Sequence, residues 1–276
     1  MEQALSAHSA CTLSLIYCST LPDERRLPDV IEDAIQFCHY RATQMPHFSF
    51  EIIIVGGRSS AQSPRTRSIF TRSEVCIIPA PNWNGDLEEA RRAGILQARG
   101  EFIVCAPADG ALRPSELMKL MKRAEEALCR RAPAKEPRAL PTVVVIGLRG
   151  TASGTLNRLM RALAASSTGV TDPQSPARCL SRRAAQVLYL ATVPEVPDRR
   201  ISSWLRRVAD VAFVLRARSV GVGVDAVQLR WTQVQQPRHD ERHTTSFPFT
   251  HSRPDFLCTH GLRSFHVHPR PIHPPW

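Results

Sequence analysis

A doubly wound α/β domain with a mostly parallel sheet is the fold class that this chain of 276 residues predicts. Three observations carry that expectation. Short apolar runs alternate with amphipathic stretches from Leu13 to Gly147, as strand–helix–strand units do. The run Ile52-Ile53-Ile54-Val55 is uninterrupted, the mark of a parallel strand covered on both faces. Hydrophobic residues make up 43% of the chain, enough for one large core and too much for a disordered chain.

The elements follow in order. Leu13–Cys18 reads as the first strand and Leu27–Ala42 as a helix, with Leu27, Val30, Ile31, Ala34 and Cys38 on one stripe. Glu51–Val55 and Val75–Ile78 are strands. Asp86 to Arg99 has an Asp-x-x-Glu start and reads as a helix in which Glu88 and Glu89 can pair with Arg92. Glu101–Ala106 is a strand, Ser115–Leu128 a helix, and Thr142–Gly147 a strand again. Beyond Gly150 the pattern gives helices over Ala152–Ser166, Ser181–Ala191 and Ile201–Val214, and a strand over Val224–Trp231. The expected organisation is therefore an extension (1–12), one domain (13–234) and an irregular tail (235–276). The tail holds seven of the ten histidines and seven of the 22 prolines, without period. His266 and His268 lack a Cys or carboxylate partner in the pattern and make a weak metal signal.

No apolar run reaches the roughly 18–20 residues needed to cross a bilayer. The first 24 residues hold no Lys or Arg, so no secretory signal is expected. The eight cysteines form no C-x-x-C pair and point to buried thiols in a reducing compartment. Charge is unevenly distributed: residues 1–126 carry a net −2 and residues 127–234 a net +11, nearly all of it arginine. That imbalance suggests an anionic partner, either an anionic macromolecule (RNA or an acidic protein complex) or a phosphate-bearing membrane surface.

Several short matches occur in a fixed order. They are Arg26-Leu27-Pro28, Phe50–Val55, the stretch Gly94 to Glu101, and Ala106-Pro107-Ala108-Asp109-Gly110-Ala111. Val145-Ile146-Gly147-Leu148-Arg149, Asp172-Pro173-Gln174 with Ser181–Ala185, and Leu229-Arg230-Trp231-Thr232 complete the series. In these the chain resembles family 2 glycosyltransferases of the GT-A fold. The likeness is greatest to dolichyl-phosphate β-glucosyltransferases, which move glucose from UDP-glucose to a lipid phosphate. The resemblance implies a UDP-sugar donor, Mg²⁺ or Mn²⁺ on carboxylates, a polyprenyl phosphate acceptor and an endoplasmic reticulum membrane surface.

The chemistry demands acids that this sequence has replaced. A diphosphate leaving group must be neutralised and an acceptor deprotonated, tasks for metal-bound and basic carboxylates. Where the family has an Asp pair after the second strand, this chain has Gly56-Gly57. The first acid of the family's Asp-x-Asp motif is Pro107, leaving Asp109. Leu87 takes the place of a lysine, with Glu88 and Glu89 in place of glycines, and Ile201-Ser202-Ser203-Trp204 takes that of a Phe-Asp-x-Glu segment.

The remaining candidates are Asp109 as a metal ligand, with Asp172 as the best second acid for it, and Arg149, Gly147 and Asp172 as cofactor-binding residues, of which Arg149 could meet a phosphate. Asp109 before Gly110 and Asp172 before Pro173 equally suit turns. The expectation is a degenerate transferase-like protein without activity or a required cofactor, acting as a binding subunit. An active UDP-glucose transferase with a reduced metal site is the alternative, and an organellar assembly the alternative location.

Overall fold

Stacking parallel strands demands apolar side chains on both faces, and the strands here supply them at nearly every position. A computed structural model describes residues 11–19, 26–56, 68–69, 71–78, 87–131, 142–150, 155–190 and 203–232. All of them fall in one unit spanning Met1–Gln235. Glu24, Gly57, the segment 84–86, Ile201, the Arg199-Arg200 pair and the tail from 235 lie outside the described residues, as do the side chains of 203–209.

The strands are β1 (Cys11–Cys18), β2 (Phe50–Val55), β3 (Val75–Ile78), β4 (Gly100–Pro107), β5 (Val143–Leu148), β6 (Arg178–Ser181) and β7 (Gly223–Gln228). They form one sheet in the order β3-β2-β1-β4-β6-β5-β7. All neighbours are parallel except β6, which runs antiparallel to both β4 and β5. The expected GT-A architecture, a mostly parallel sheet flanked by helices, is thus present. Two details differ. β1 begins at Cys11, so the expected extension 1–12 overlaps the first strand by two residues. The sequence pattern also missed β6, which is only four residues long and opens with an arginine just after two prolines.

The helices are α1 (Leu27–Gln44), α2 (Leu87–Gln97), α3 (Pro114–Arg131), α4 (Thr155–Thr168), the short α5 (Arg182–Ala185) and α6 (Ser203–Ser219). Ser181 caps α5 by accepting from the Ala184 N–H. The helix expected over Ser181–Ala191 then widens into a π-turn at Gln186–Leu190. One face of the sheet packs against α1 and α3 through Leu13, Leu15, Ile52, Val104, Leu117 and Leu120. The other packs against α2, the π-turn and α6 through Ile16, Ile53, Ile103, Ala90, Leu188 and Val214.

At the amino end of the strands, buried Glu51 accepts from the Ser14 hydroxyl (2.6 Å), the Arg99 N–H (2.6 Å) and Arg99 Nε (3.0 Å). The Gly100 N–H donates to Ser14 Oγ at 2.7 Å. A Cβ on Gly100 would collide with the backbone N of Ser14, and one on Gly94 would lie 2.6 Å from Ile16 Cγ2. The Gly94–Glu101 match is therefore a packing joint between α2, β1 and β4. At the opposite, carboxyl edge the chain after β7 returns across the domain. Leu229 N–H donates to Leu148 O, Arg230 N–H to Glu116, Trp231 Nε1 to Leu148 O, and Thr232 N–H to Ala111 O.

Candidate functional site

In open α/β sheets, ligands bind outside the carboxyl ends of the strands. Asp109 sits there, in the turn that follows β4. Its Oδ1 accepts the Ala111 N–H at 2.9 Å, and Gly110 takes φ +78°, a left-handed turn that glycine adopts without strain. The turn role that the sequence allowed for Asp109 is the one these contacts show. After β2 the chain leaves through Gly56 at φ +104°, with no carboxylate there.

Two other candidates meet each other. Arg149 grips Asp172 bidentately, Nε to Oδ2 at 2.7 Å and Nη2 to Oδ1 at 2.9 Å. Arg161, which the sequence reading passed over, adds Nη2 at 3.3 Å and ties its Nη1 to Gly150 O at 2.8 Å. Asp172 is 1% exposed. It opens a turn, its carbonyl accepting the Ser175 N–H at 3.2 Å, and its buried carboxylate is held by two guanidiniums. Gly147 serves packing: its N–H donates to Ala177 O at 2.9 Å, and a Cβ there would strike Leu229.

These donors do not fit a divalent cation. Both Asp172 oxygens face arginine donors, so a metal approaching them would meet two positive charges at short range. Asp109 has one oxygen committed to its turn. Among the described residues no group of three His, Cys, Asp or Glu side chains is gathered to hold a metal.

A second charged cluster lies beside that of Asp172 at the same edge, where Arg178 donates to the carbonyl of Pro173, the residue after Asp172. Glu88, in the first turn of α2, bonds Arg91 one turn on, and Arg178 Nη1 reaches the same carboxylate oxygen at 3.3 Å. Arg92, the partner expected for Glu88, is not its partner. Tyr189 Oη stands 3.5 Å from the other Glu88 oxygen. Arg178 is 1% exposed. It bonds Asp210, donates to Pro173 O at 3.3 Å, and lies with its guanidinium carbon 4.6 Å from the centre of the Phe213 ring.

Burial works against ionisation of Glu88, but Arg178 and Arg91 outweigh it and hold that carboxyl below its ordinary range. At Asp210 burial prevails over the same arginines and the carboxyl titrates higher than usual. Arg178 stays a permanent cation: Glu88 and Asp210 more than offset its burial. Single-sequence reading could have suspected Glu88–Arg91 from their three-residue spacing. Arg178 and Asp210, distant in sequence, gave no such sign.

The basic half looks different once folded. Arg149 and Arg161 are engaged with buried Asp172 and Arg178 with half-buried Asp210, and Arg130 joins Arg123 on Asp225 at 2.9 and 3.0 Å. Arg183, Arg218 and Arg230 are exposed. No helix among the described residues is long and apolar enough to cross a membrane.

Comparison with known proteins gives a consistent set of likenesses. Residues 24–132 match the family model described as Glycosyl transferase family 2. A dolichyl-phosphate beta-glucosyltransferase of Trichomonas vaginalis is 23% identical over 227 residues, covering 77% of this chain and 61% of that protein. The human dolichyl-phosphate beta-glucosyltransferase is 31% identical over 104 residues, covering 36% of this chain and 32% of the human protein. The chain thus spans about three fifths of the first relative's length and about a third of the second's. Among solved structures, Mycobacterium tuberculosis glucosyl-3-phosphoglycerate synthase superposes with a TM-score of 0.50 at 15% identity, covering 86% of this chain and 77% of that one, a likeness of fold.

Proposed function

From a chain that carries a glycosyl transferase family 2 domain related to the dolichyl-phosphate glucosyltransferases, we propose a protein that keeps the scaffold without transferring sugar. It acts as a binding subunit whose exposed arginines meet an anionic macromolecule. One observation carries this reading: the Asp172 carboxylate, retained at the edge where a donor would bind, is neutralised by Arg149 and Arg161. A carboxylate bound to two guanidiniums supplies neither a metal ligand nor a base, because its negative charge is already compensated.

Arg149 and Arg161 do what remains possible at this edge. They fix the loop from Thr171 to Ala177 against the end of β5 and leave one excess positive charge beside it. Were a sugar-nucleotide bound, Mg²⁺ or Mn²⁺ would supply charge neutralisation of the diphosphate, and Asp109, with Oδ2 outside its turn bond, is the acid that would approach it. The anionic partner is RNA in this reading. Binding should then be sequence-tolerant and weaken steeply with salt through counterion release.

Calorimetric titration with Mn²⁺ and UDP-glucose tests the first half, with no binding heat expected. Saturable binding that Asp109→Ala abolishes would instead establish a working transferase with a reduced metal site, for which a polyprenyl phosphate at an endoplasmic reticulum surface is the acceptor its relatives' names suggest. RNA affinity compared at 50 and 300 mM salt tests the second half. Equal affinities at the two concentrations would remove nucleic acid and leave an acidic protein as the partner.

A further inference from the structure

Glu88 is placed unlike an ordinary surface acid on a helix. Among the described residues, three donors from three separate elements converge on its carboxylate: Arg91 Nη1 from α2, Arg178 Nη1 from β6 and Tyr189 Oη from the π-turn. Arg91, Arg178 and Tyr189 are 4%, 1% and 5% exposed, whereas the Glu88 side chain is 35% exposed. The donors therefore line the floor, more deeply buried than the side chain they hold.

The floor is held by contacts that do not involve Glu88. Arg91 Nη2 reaches Pro176 O at 3.4 Å, and Arg178 is fixed by Pro173 O, Asp210 and the Phe213 ring. Arg178 Nε is buried without an acceptor among the described residues. Two guanidiniums and a phenol held in place around one oxyanion form the donor set that recognises phosphate groups. The carboxylate also sits in the first turn of an eleven-residue helix, where backbone N–H groups favour negative charge.

We propose that Glu88 is a tethered anion occupying a phosphate-class site formed by Arg91, Arg178 and Tyr189 at the carboxyl edge. The native chain excludes diphosphates from this site because its own carboxylate fills it. Removing that negative charge converts the edge into a metal-independent anion site. This deepens the non-transferring reading, on which it rests for the absence of native donor binding, and it adds a cause separate from the loss of metal ligands. The tether is intramolecular, so a free anion must displace a group already held at high effective concentration.

The experiment compares the wild-type chain with Glu88→Ala and Glu88→Gln, with Glu89→Gln as a control for the same change of net charge at an exposed neighbour. Inorganic pyrophosphate and UDP are titrated separately, without metal and at constant ionic strength, by calorimetry and by the rise in melting temperature. The expected result is affinity at least about tenfold above wild type in both Glu88 variants, the scale of one regained charge-assisted hydrogen bond, and no gain in Glu89→Gln. Gain for both probes identifies the diphosphate as the recognised group; gain for pyrophosphate alone confines the site to free inorganic anions. A folded Glu88→Gln that binds neither probe better than wild type overturns the proposal, and so does an equal gain in Glu89→Gln. Glu88→Gln keeps the side chain's shape, so the test survives if Glu88→Ala does not fold. Wild type with Mn²⁺ and UDP-glucose, run alongside, reports separately on the transferase question.

Discussion

The two ends of the sheet have been treated differently. At the amino end Arg99 and Gly100 pack or hydrogen-bond within the scaffold, and Gly94 packs farther along the same joint against Ile16 and Val55. At the carboxyl edge Gly56 and Pro107 stand where the resemblance implied acids, and among the described residues Asp172, Glu88 and Asp210 are paired with arginines. The amino end was under a steric demand that no other residue meets. At the carboxyl edge the demand visible in the described residues is electrostatic, with Asp172 and Asp210 each held by guanidiniums.

The largest expected effect breaks the edge's internal charge balance. Arg178→Ala leaves Glu88 and Asp210 without their shared guanidinium and should destabilise the fold by about 3–5 kcal/mol in denaturant unfolding. A loss under about 1 kcal/mol would mean the edge is not locked by its charges, and the contrast between the two ends would fail. Next comes Gly100→Ala, where overpacking against the Ser14 backbone should cost about 2–3 kcal/mol. An unaffected melting curve would show that the amino end tolerates substitution and is kept for another reason. Asp109→Ala removes one turn hydrogen bond and should cost about 1 kcal/mol, with UDP-glucose binding unchanged from wild type.

The smallest expected effect is in pH dependence. Burial raises the Glu116 carboxyl, but Lys119 and the Arg230 N–H prevail and hold it below its ordinary value of 4.5. Its folded value being depressed, the stability it contributes is complete above 4.5 and is lost as pH falls through the lowered folded value. The stability difference between wild type and Glu116→Gln should therefore be constant near neutrality and shrink below pH 4.5, read by urea unfolding across pH. Asp210, raised by burial, contributes in the opposite sense: what stability it adds is present at low pH and lost as pH rises through its folded value.

Periodicity made the scaffold legible because β1, β2, β4 and β5 are apolar at most positions, with few polar residues such as Ser14, Glu51 and Glu101, and α1 and α3 keep their stripes. It failed at β6, where four residues beginning with a buried arginine look like a loop. The site was legible only as losses. Gly56 and Pro107 are visible against a family pattern, and Arg149 and Asp172 stood out for the same reason, but their mutual grip needed coordinates. So did Arg178: a charged residue 1% exposed violates the usual rule of burial, and only partners 90 residues before it and 32 after it make that possible.

The strap over the carboxyl edge sets an order of assembly. Arg230 reaches back 114 residues to Glu116, and Trp231 reaches back 83 to Leu148. On a ribosome, β1, β2, β3 and β4 can pair long before these residues exist, since their contacts span shorter stretches and synthesis runs from the N-terminus. The edge from Ala111 to Leu148 then waits, uncovered, for the last part of the domain to emerge. A nascent chain stalled before Leu229 would hold a paired sheet with that edge open to chaperones, and a premature stop in the same place would make a product that pairs its strands yet never closes.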